Sequence, residues 1–193
     1  MNIKAFQVAN NYLKENHKLF TEDEEFQQFT EFYHRLFSFM KLNVCIKQCE
    51  NLAYETVFND NKVVFYNDVD DALLKLKQTY KLAILSDTWP SIKRILRNKN
   101  ILSCFDAIIA SCYYGHTKES TVIFEIAINT LQEKPDNILF IDDSTVNLYN
   151  ARKTGMHPIL MDRSKKSGNT SYPVIASLDE VLLKIQYYNK PPM

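Results

Sequence analysis

Residues 138–156 read ILFIDDSTVNLYNARKTGM. An apolar run, Ile138 to Ile141, ends on two adjacent carboxylates, Asp142 and Asp143, and a helical pattern follows from Val146 to Lys153. Consecutive apolar residues bounded by charge describe a strand buried on both faces, with a polar exit at its carboxyl end. The same alternation recurs outward from this stretch. Apolar runs at Val63 to Tyr66, Leu82 to Leu85, Ala107 to Ala110, Pro158 to Met161 and, more weakly, Val174 to Ala176 are separated by periodic stretches at Val69 to Gln78, Pro90 to Arg97, Glu119 to Leu131 and Leu178 to Ile185. Strands alternating with helices predict an α/β fold, a Rossmann-like parallel sheet with helices on both faces. The first third reads differently. Phe26, Phe29, Tyr33, Leu36, Phe37 and Met40 recur at steps of three and four behind an acidic, cappable start at Thr21 to Glu24, which predicts an amphipathic helix. The expected division is a small helical unit at 1–61 and an α/β core at 62–193.

Ligands of open parallel sheets bind at the carboxyl ends of the strands, so the residues that follow each strand matter most. Ser86-Asp87-Thr88 follows one run, Lys118 stands at a loop-to-helix junction after another, and Asp142-Asp143 follows a third. A hydroxyl, an ammonium and paired carboxylates on one sheet edge fit phosphoryl chemistry. Asp142 and Asp143 would hold Mg²⁺, Lys118 would offset phosphate charge, and Ser86 with the Asp87 and Thr88 amides would grip a phosphoryl oxygen.

Lys and Arg total 23 and Asp and Glu total 23, so no bulk field draws the chain to nucleic acid or to an anionic membrane. Three glycines, Gly115, Gly155 and Gly168, exclude both the dinucleotide fingerprint and the phosphate-binding P-loop. The start has neither a basic n-region nor an apolar h-region, and Cys45, Cys49, Cys104 and Cys112 are irregularly spaced, so the expected setting is cytoplasmic with reduced thiols. Cys112 and His116 stand four apart, as do Cys45 and Cys49, and buried structural thiols are the simpler reading of both pairs. His17, His34 and His157 have no apparent partners in the sequence and read as surface or packing residues.

The runs ILSDT (84–88), GHTKES (115–120) and ILFIDDSTVNLYNARKTGM (138–156) resemble motifs II, III and IV of the haloacid dehalogenase-like superfamily, and the helical first third resembles the C1 cap of its phosphatase-rich branch. The resemblance implies a Mg²⁺-dependent phosphatase acting on a small phosphorylated metabolite. It gives Ser86 the family's hydroxyl position, Lys118 its basic position, and Asp142 and Asp143 its metal positions. Lys118 is followed by Glu119-Ser120 where relatives show proline and an acidic residue.

A larger departure concerns the nucleophile. The family opens with a strand ending in DxDx[TV], and this sequence starts directly in the cap-like helices, so a central strand is expected to be missing and turnover impaired. Asn67-Asp68-Val69-Asp70 after the run at 63–66 imitates the missing motif; the plainer reading makes Asp68 or Asp70 a helix start. The competing function is a non-catalytic or truncated binding module, or a fragment completed by another segment. A phosphoacceptor receiver domain, which resembles this set chemically, places its carboxylates first and its lysine last, the reverse of the order Ser86, Lys118, Asp142.

Overall fold

In a computed structural model of the chain, which describes residues 3–188, helix α2 (Glu22–Phe39) begins at a reciprocal cap. The Glu24 amide donates to Thr21 Oγ1 at 3.2 Å, and the Glu24 carboxylate accepts from the Thr21 amide at 3.0 Å. Helix α2 packs against α1 (Ile3–Glu15) and α3 (Ile46–Phe58). Each neighbour buries a stripe of largely small residues at spacing four, Ala5, Ala9 and Leu13 from α1 and Cys49, Ala53 and Val57 from α3. The expected aromatic stripe of α2 is only half-buried. The buried stripe lies to one side of it and carries Glu25, Gln28 and Phe32.

The polar members of that stripe are explained by helix α5 (Ile92–Asn98) and the turn before it, which belong to the same unit. Glu22, Glu25 and Gln28 stand three apart on α2 and meet Arg94, Ser91 and Trp89 in the opposite order. Arg94 Nε donates to Glu22 at 2.7 Å, the Ser91 amide and hydroxyl each donate to Glu25 at 2.8 Å, and Trp89 Nε1 donates to Gln28 Oε1 at 2.7 Å. This helical unit therefore comprises the described chain up to Val64 together with Ser86–Asn100 and Ala110–Gly115.

The second unit, Phe65–Leu85, Ile101–Ile109 and the described chain from His116, is α/β. Its strands form two ladders. Strand β1 (Ala83–Ser86) pairs with β2 (Ala107–Ala110), and β3 (Leu139–Asp142) pairs with β4 (His157–Met161), which pairs with β5 (Val174–Ile175). Both junctions of the three-stranded ladder are parallel, with Leu139 opposite His157 and Leu160 opposite Val174. The pleat sends alternate residues of β3 to opposite faces. Leu139 and Ile141 join a core of Ile159, Ile175, Leu76 from α4 (Val69–Lys77) and Val181 from α9 (Val181–Tyr188). Phe140 instead meets Phe124 of α7 (Val122–Leu131) edge-on at 5.1 Å. Helices thus cover both faces of the strand that ends in Asp142.

The run Val63 to Tyr66 does not form the expected strand. Val64 is 86% exposed. The Tyr66 ring lies 3.9 Å beneath the Arg163 guanidinium. Four apolar letters without a neighbouring strand to complete their backbone hydrogen bonds are insufficient for sheet formation. After β2, residues 111–114 form a single helical turn, α6 (Ser111–Tyr114), closed by Gly115 in the left-handed region at φ 72°.

Candidate active site

Asp142 is the last residue of β3, and the chain then turns into α8 (Thr145–Lys153). Its carboxylate collects three donors. The Ser144 amide at 2.8 Å and Asn147 Nδ2 at 3.0 Å share Oδ1, and Lys118 Nζ reaches Oδ2 at 2.7 Å. Both side chains of the ion pair are nearly dry, 13% exposed for Lys118 and 8% for Asp142. Removing two charges from water costs several kcal/mol per ion before their attraction repays it, so such a pair is a poor stabilising device and a candidate for chemistry.

Lys118 is placed by its own loop. Asn150, one turn beyond Asn147 on α8, donates from Nδ2 to the Lys118 carbonyl at 2.9 Å and to the Glu119 carbonyl at 3.3 Å. One helix face thereby fixes both partners of the pair. The role of Asn150 escapes a reading of the sequence, although its spacing of three from Asn147 is the signal that would have found it. Asp143 is exposed beside this cluster.

Ser86, Asp87 and Thr88 belong to the helical unit. Ser86 ends β1, half-buried, and Asp87 is exposed. The Thr88 amide, expected as part of an anion grip, donates to Ser111 Oγ at 2.9 Å. His17, expected to lack a partner, has its Nε2 2.6 Å from the same hydroxyl. Burial lowers the His17 pKa, against an opposing pull from the Asp87 charge. The thiol of Cys112, next in α6, is wholly buried, and burial pushes its pKa up to about 12.

Asp68 of the imitation motif is held by structural contacts. Arg163 NH1 donates to both Asp68 oxygens at 3.0 Å, and the Leu178 amide donates to Oδ2 at 2.7 Å. Burial raises the Asp68 carboxyl, but these donors outweigh it and hold the group below its ordinary value.

Among the described residues no group of three or more His, Cys, Asp and Glu side chains gathers for a metal. Mg²⁺ does not require one. It keeps several waters and binds through one or two carboxylates plus phosphate oxygens, and Asp142 and Asp143 are carboxylates that could hold it in that way. No helix among the described residues is long and apolar enough to cross a membrane.

Comparison with known proteins agrees with this architecture. The family model of haloacid dehalogenase-like hydrolases matches residues 3–161. Bifunctional epoxide hydrolase 2 of Sus scrofa is 27% identical over 124 residues, covering 60% of this chain and 22% of that protein. D-ribitol-5-phosphate phosphatase of Bacteroides thetaiotaomicron is 28% identical over 102 residues, 47% of this chain and 50% of that protein. The chain therefore spans half or less of the length of these curated relatives. The HAD-hydrolase YfnB of Bacillus subtilis, solved bound to magnesium, shares the fold with a TM-score of 0.66 at 18% identity, over 97% of this chain and 80% of that one. Parallel strands, a carboxylate-ended β3 and a family match across most of the sequence lead to one statement of kinship: the chain belongs to the haloacid dehalogenase-like hydrolase family.

Proposed function

We infer that the chain acts on small phosphorylated metabolites as a Mg²⁺-dependent phosphohydrolase of reduced turnover. The observation that carries this reading is the nearly dry contact between Lys118 and Asp142 at a strand end. A cation held against a carboxylate in a low-dielectric site is poised to receive the extra negative charge of a phosphoryl group. The phosphatase among the similar proteins supports the substrate class.

Asp142 and Asp143 would hold Mg²⁺, which when bound supplies charge neutralisation at the phosphoryl oxygens. Lys118 offsets the charge of phosphate and of Asp142 together. Asn147 and the Ser144 amide keep the Asp142 carboxylate in one orientation, and Asn150 keeps the lysine loop in register with it. The Ser86 hydroxyl is assigned to a phosphoryl oxygen. Reduced turnover is supported by the state of the carboxylate that imitates the family's nucleophile: an aspartyl-phosphate needs a carboxylate able to attack, and Asp68 is engaged by Arg163 and the Leu178 amide.

Isothermal titration of inorganic phosphate with and without Mg²⁺ tests the site. Binding is expected to need Mg²⁺ and to be lost in Asp142→Asn and Lys118→Ala; equal binding by all three proteins would overturn the assignment. Steady phosphate release from p-nitrophenyl phosphate, absent in Lys118→Ala, would overturn the reduced turnover.

A second reading is favoured by the interrupted ladder. Among the described residues strand β1 pairs with β2 and β3 with β4, which leaves each with one side that no described strand adjoins. Unpaired edges invite an added strand, so the α/β unit would serve as an interaction module completed by an extended apolar segment. A short apolar peptide ending in Asp-x-Asp-x-Thr should then slow amide exchange in β1 and β3. Unchanged exchange at saturating peptide would remove this reading.

A further inference from the structure

His17 lies between α1 and α2, far in sequence from every motif, yet it is tied to the turn that carries Ser86. Ser111 is wholly buried, and its hydroxyl oxygen stands between three groups. The Thr88 amide donates to it at 2.9 Å, His17 Nε2 approaches to 2.6 Å, and the Thr88 carbonyl lies at 3.3 Å. That carbonyl already accepts from the Cys112 amide at 3.3 Å. Of the two contacts open to the hydroxyl proton, the shorter is assigned to it, so that Ser111 donates to His17 Nε2 while accepting from the Thr88 amide. The imidazole is then neutral with its proton on Nδ1.

The ring is fixed from other sides as well. Trp89 meets it edge-on at 5.6 Å, and the Trp89 indole is anchored through Gln28, whose amide nitrogen donates in turn to the Asn16 carbonyl. The Leu19 amide donates to the Cys112 carbonyl at 2.9 Å, so the segment around His17 and the α6 turn hold each other by backbone and side chain alike. Burial lowers the His17 pKa, which favours the neutral, accepting ring.

We propose that His17 and Ser111 form a positioning pair that fixes the peptide planes around Thr88 and thereby the Ser86 hydroxyl. Neither residue touches the phosphate in this assignment. For its ligand the proposal rests on the phosphohydrolase reading above; for its hydrogen bonds it does not.

The whole chain is used for the test, and its arms separate the two ideas. Long-range proton–nitrogen NMR of the wild type should find Nε2 of His17 unprotonated, and a protonated Nε2 would overturn the proposal. Hydrogen exchange of the Thr88 amide should quicken at least tenfold in Ser111→Ala and in His17→Ala, as expected for a lost hydrogen bond of ordinary strength. Inorganic phosphate in the presence of Mg²⁺ should bind about tenfold more weakly to His17→Ala, while His17→Gln, whose amide oxygen can stand in for Nε2, stays within about threefold of wild type. A residue that merely packs would lower the stability of both variants and leave the affinity of the folded protein unchanged, and that result would overturn the proposal. If the wild type binds no phosphate, the phosphohydrolase reading fails and the tautomer and exchange measurements decide the positioning pair alone. Since Ser111→Ala could unfold, His17→Ala, at a half-buried loop position, carries the decision.

Discussion

Glu25 in the helical unit and Asp68 and Asp142 in the α/β unit are largely buried carboxylates satisfied in opposite ways. Glu25 in the helical unit is 3% exposed and is met by two uncharged donors, the amide and hydroxyl of Ser91. Burial outweighs those bonds, and the Glu25 carboxyl is held above its ordinary range. Asp68 and Asp142 in the α/β unit are each met by a cation, Arg163 and Lys118. The difference shows what a fold can do with a buried acid. Neutral donors suffice where the group fastens one helix to a turn, as Glu25 fastens α2 to the start of α5; a cation is needed where the charge itself must persist.

The sharpest way to break this comparison is to remove the cation at Asp142. Lys118→Ala leaves a nearly dry carboxylate without its counter-charge and should cost about 3–5 kcal/mol in urea unfolding, with the Lys118→Ala, Asp142→Ala double variant recovering part of the loss. A cost below about 1 kcal/mol would mean that water reaches the pair freely. Arg163→Ala should cost less, about 2–3 kcal/mol, because the Leu178 amide still serves Asp68 after the guanidinium is gone. Glu25 sharpens the contrast from the other side. Glu25→Ala strands the Ser91 amide and hydroxyl in a buried place and should cost about 2 kcal/mol. Glu25→Gln can accept from the Ser91 amide and donate to its hydroxyl, so its stability near neutral pH should match or slightly exceed wild type. A glutamine variant as damaged as the alanine one would show that the Glu25 charge is needed after all.

Much of this arrangement was legible in the sequence because it is local. The capping box at Thr21, the β3 run ending on Asp142, and the helix that follows it are each specified within a few residues. What escaped notice depends on groups far apart. His17 meets Ser111 across 94 positions, and no neighbour in the sequence hints at it. Glu25 and Gln28 look like the solvent face of an amphipathic helix until Ser91 and Trp89 arrive from more than 60 residues away. The run Val63 to Tyr66 failed as a strand for the converse reason: its local pattern is right, but strands exist only by pairing. The break between the β1–β2 and β3–β4–β5 ladders has the same origin, since apolar runs predict strands and say nothing about which of them will join.

The smallest expected effect is also the most diagnostic, because the two kinds of carboxylate must give pH dependences of opposite sign. The Glu25 pKa is raised in the folded chain, so the folded state holds its proton to higher pH than the unfolded state does. Its contribution is complete below the ordinary carboxyl range and is lost as pH rises through the folded value. The Asp68 pKa is lowered, so its contribution is present above about pH 4 and is lost as pH falls through the folded value. Urea midpoints of wild type, Glu25→Gln and Asp68→Asn, measured from about pH 3 to about pH 7, separate the two. Relative to Glu25→Gln, the wild type should lose ground as pH rises; relative to Asp68→Asn, it should gain. Parallel curves for Glu25→Gln and wild type would mean that the Ser91 donors just offset burial, and a wild type that gained ground as pH rises would mean that they outweigh it. In that case the helical unit would hold its acid as the α/β unit does, ionised, but without a cation.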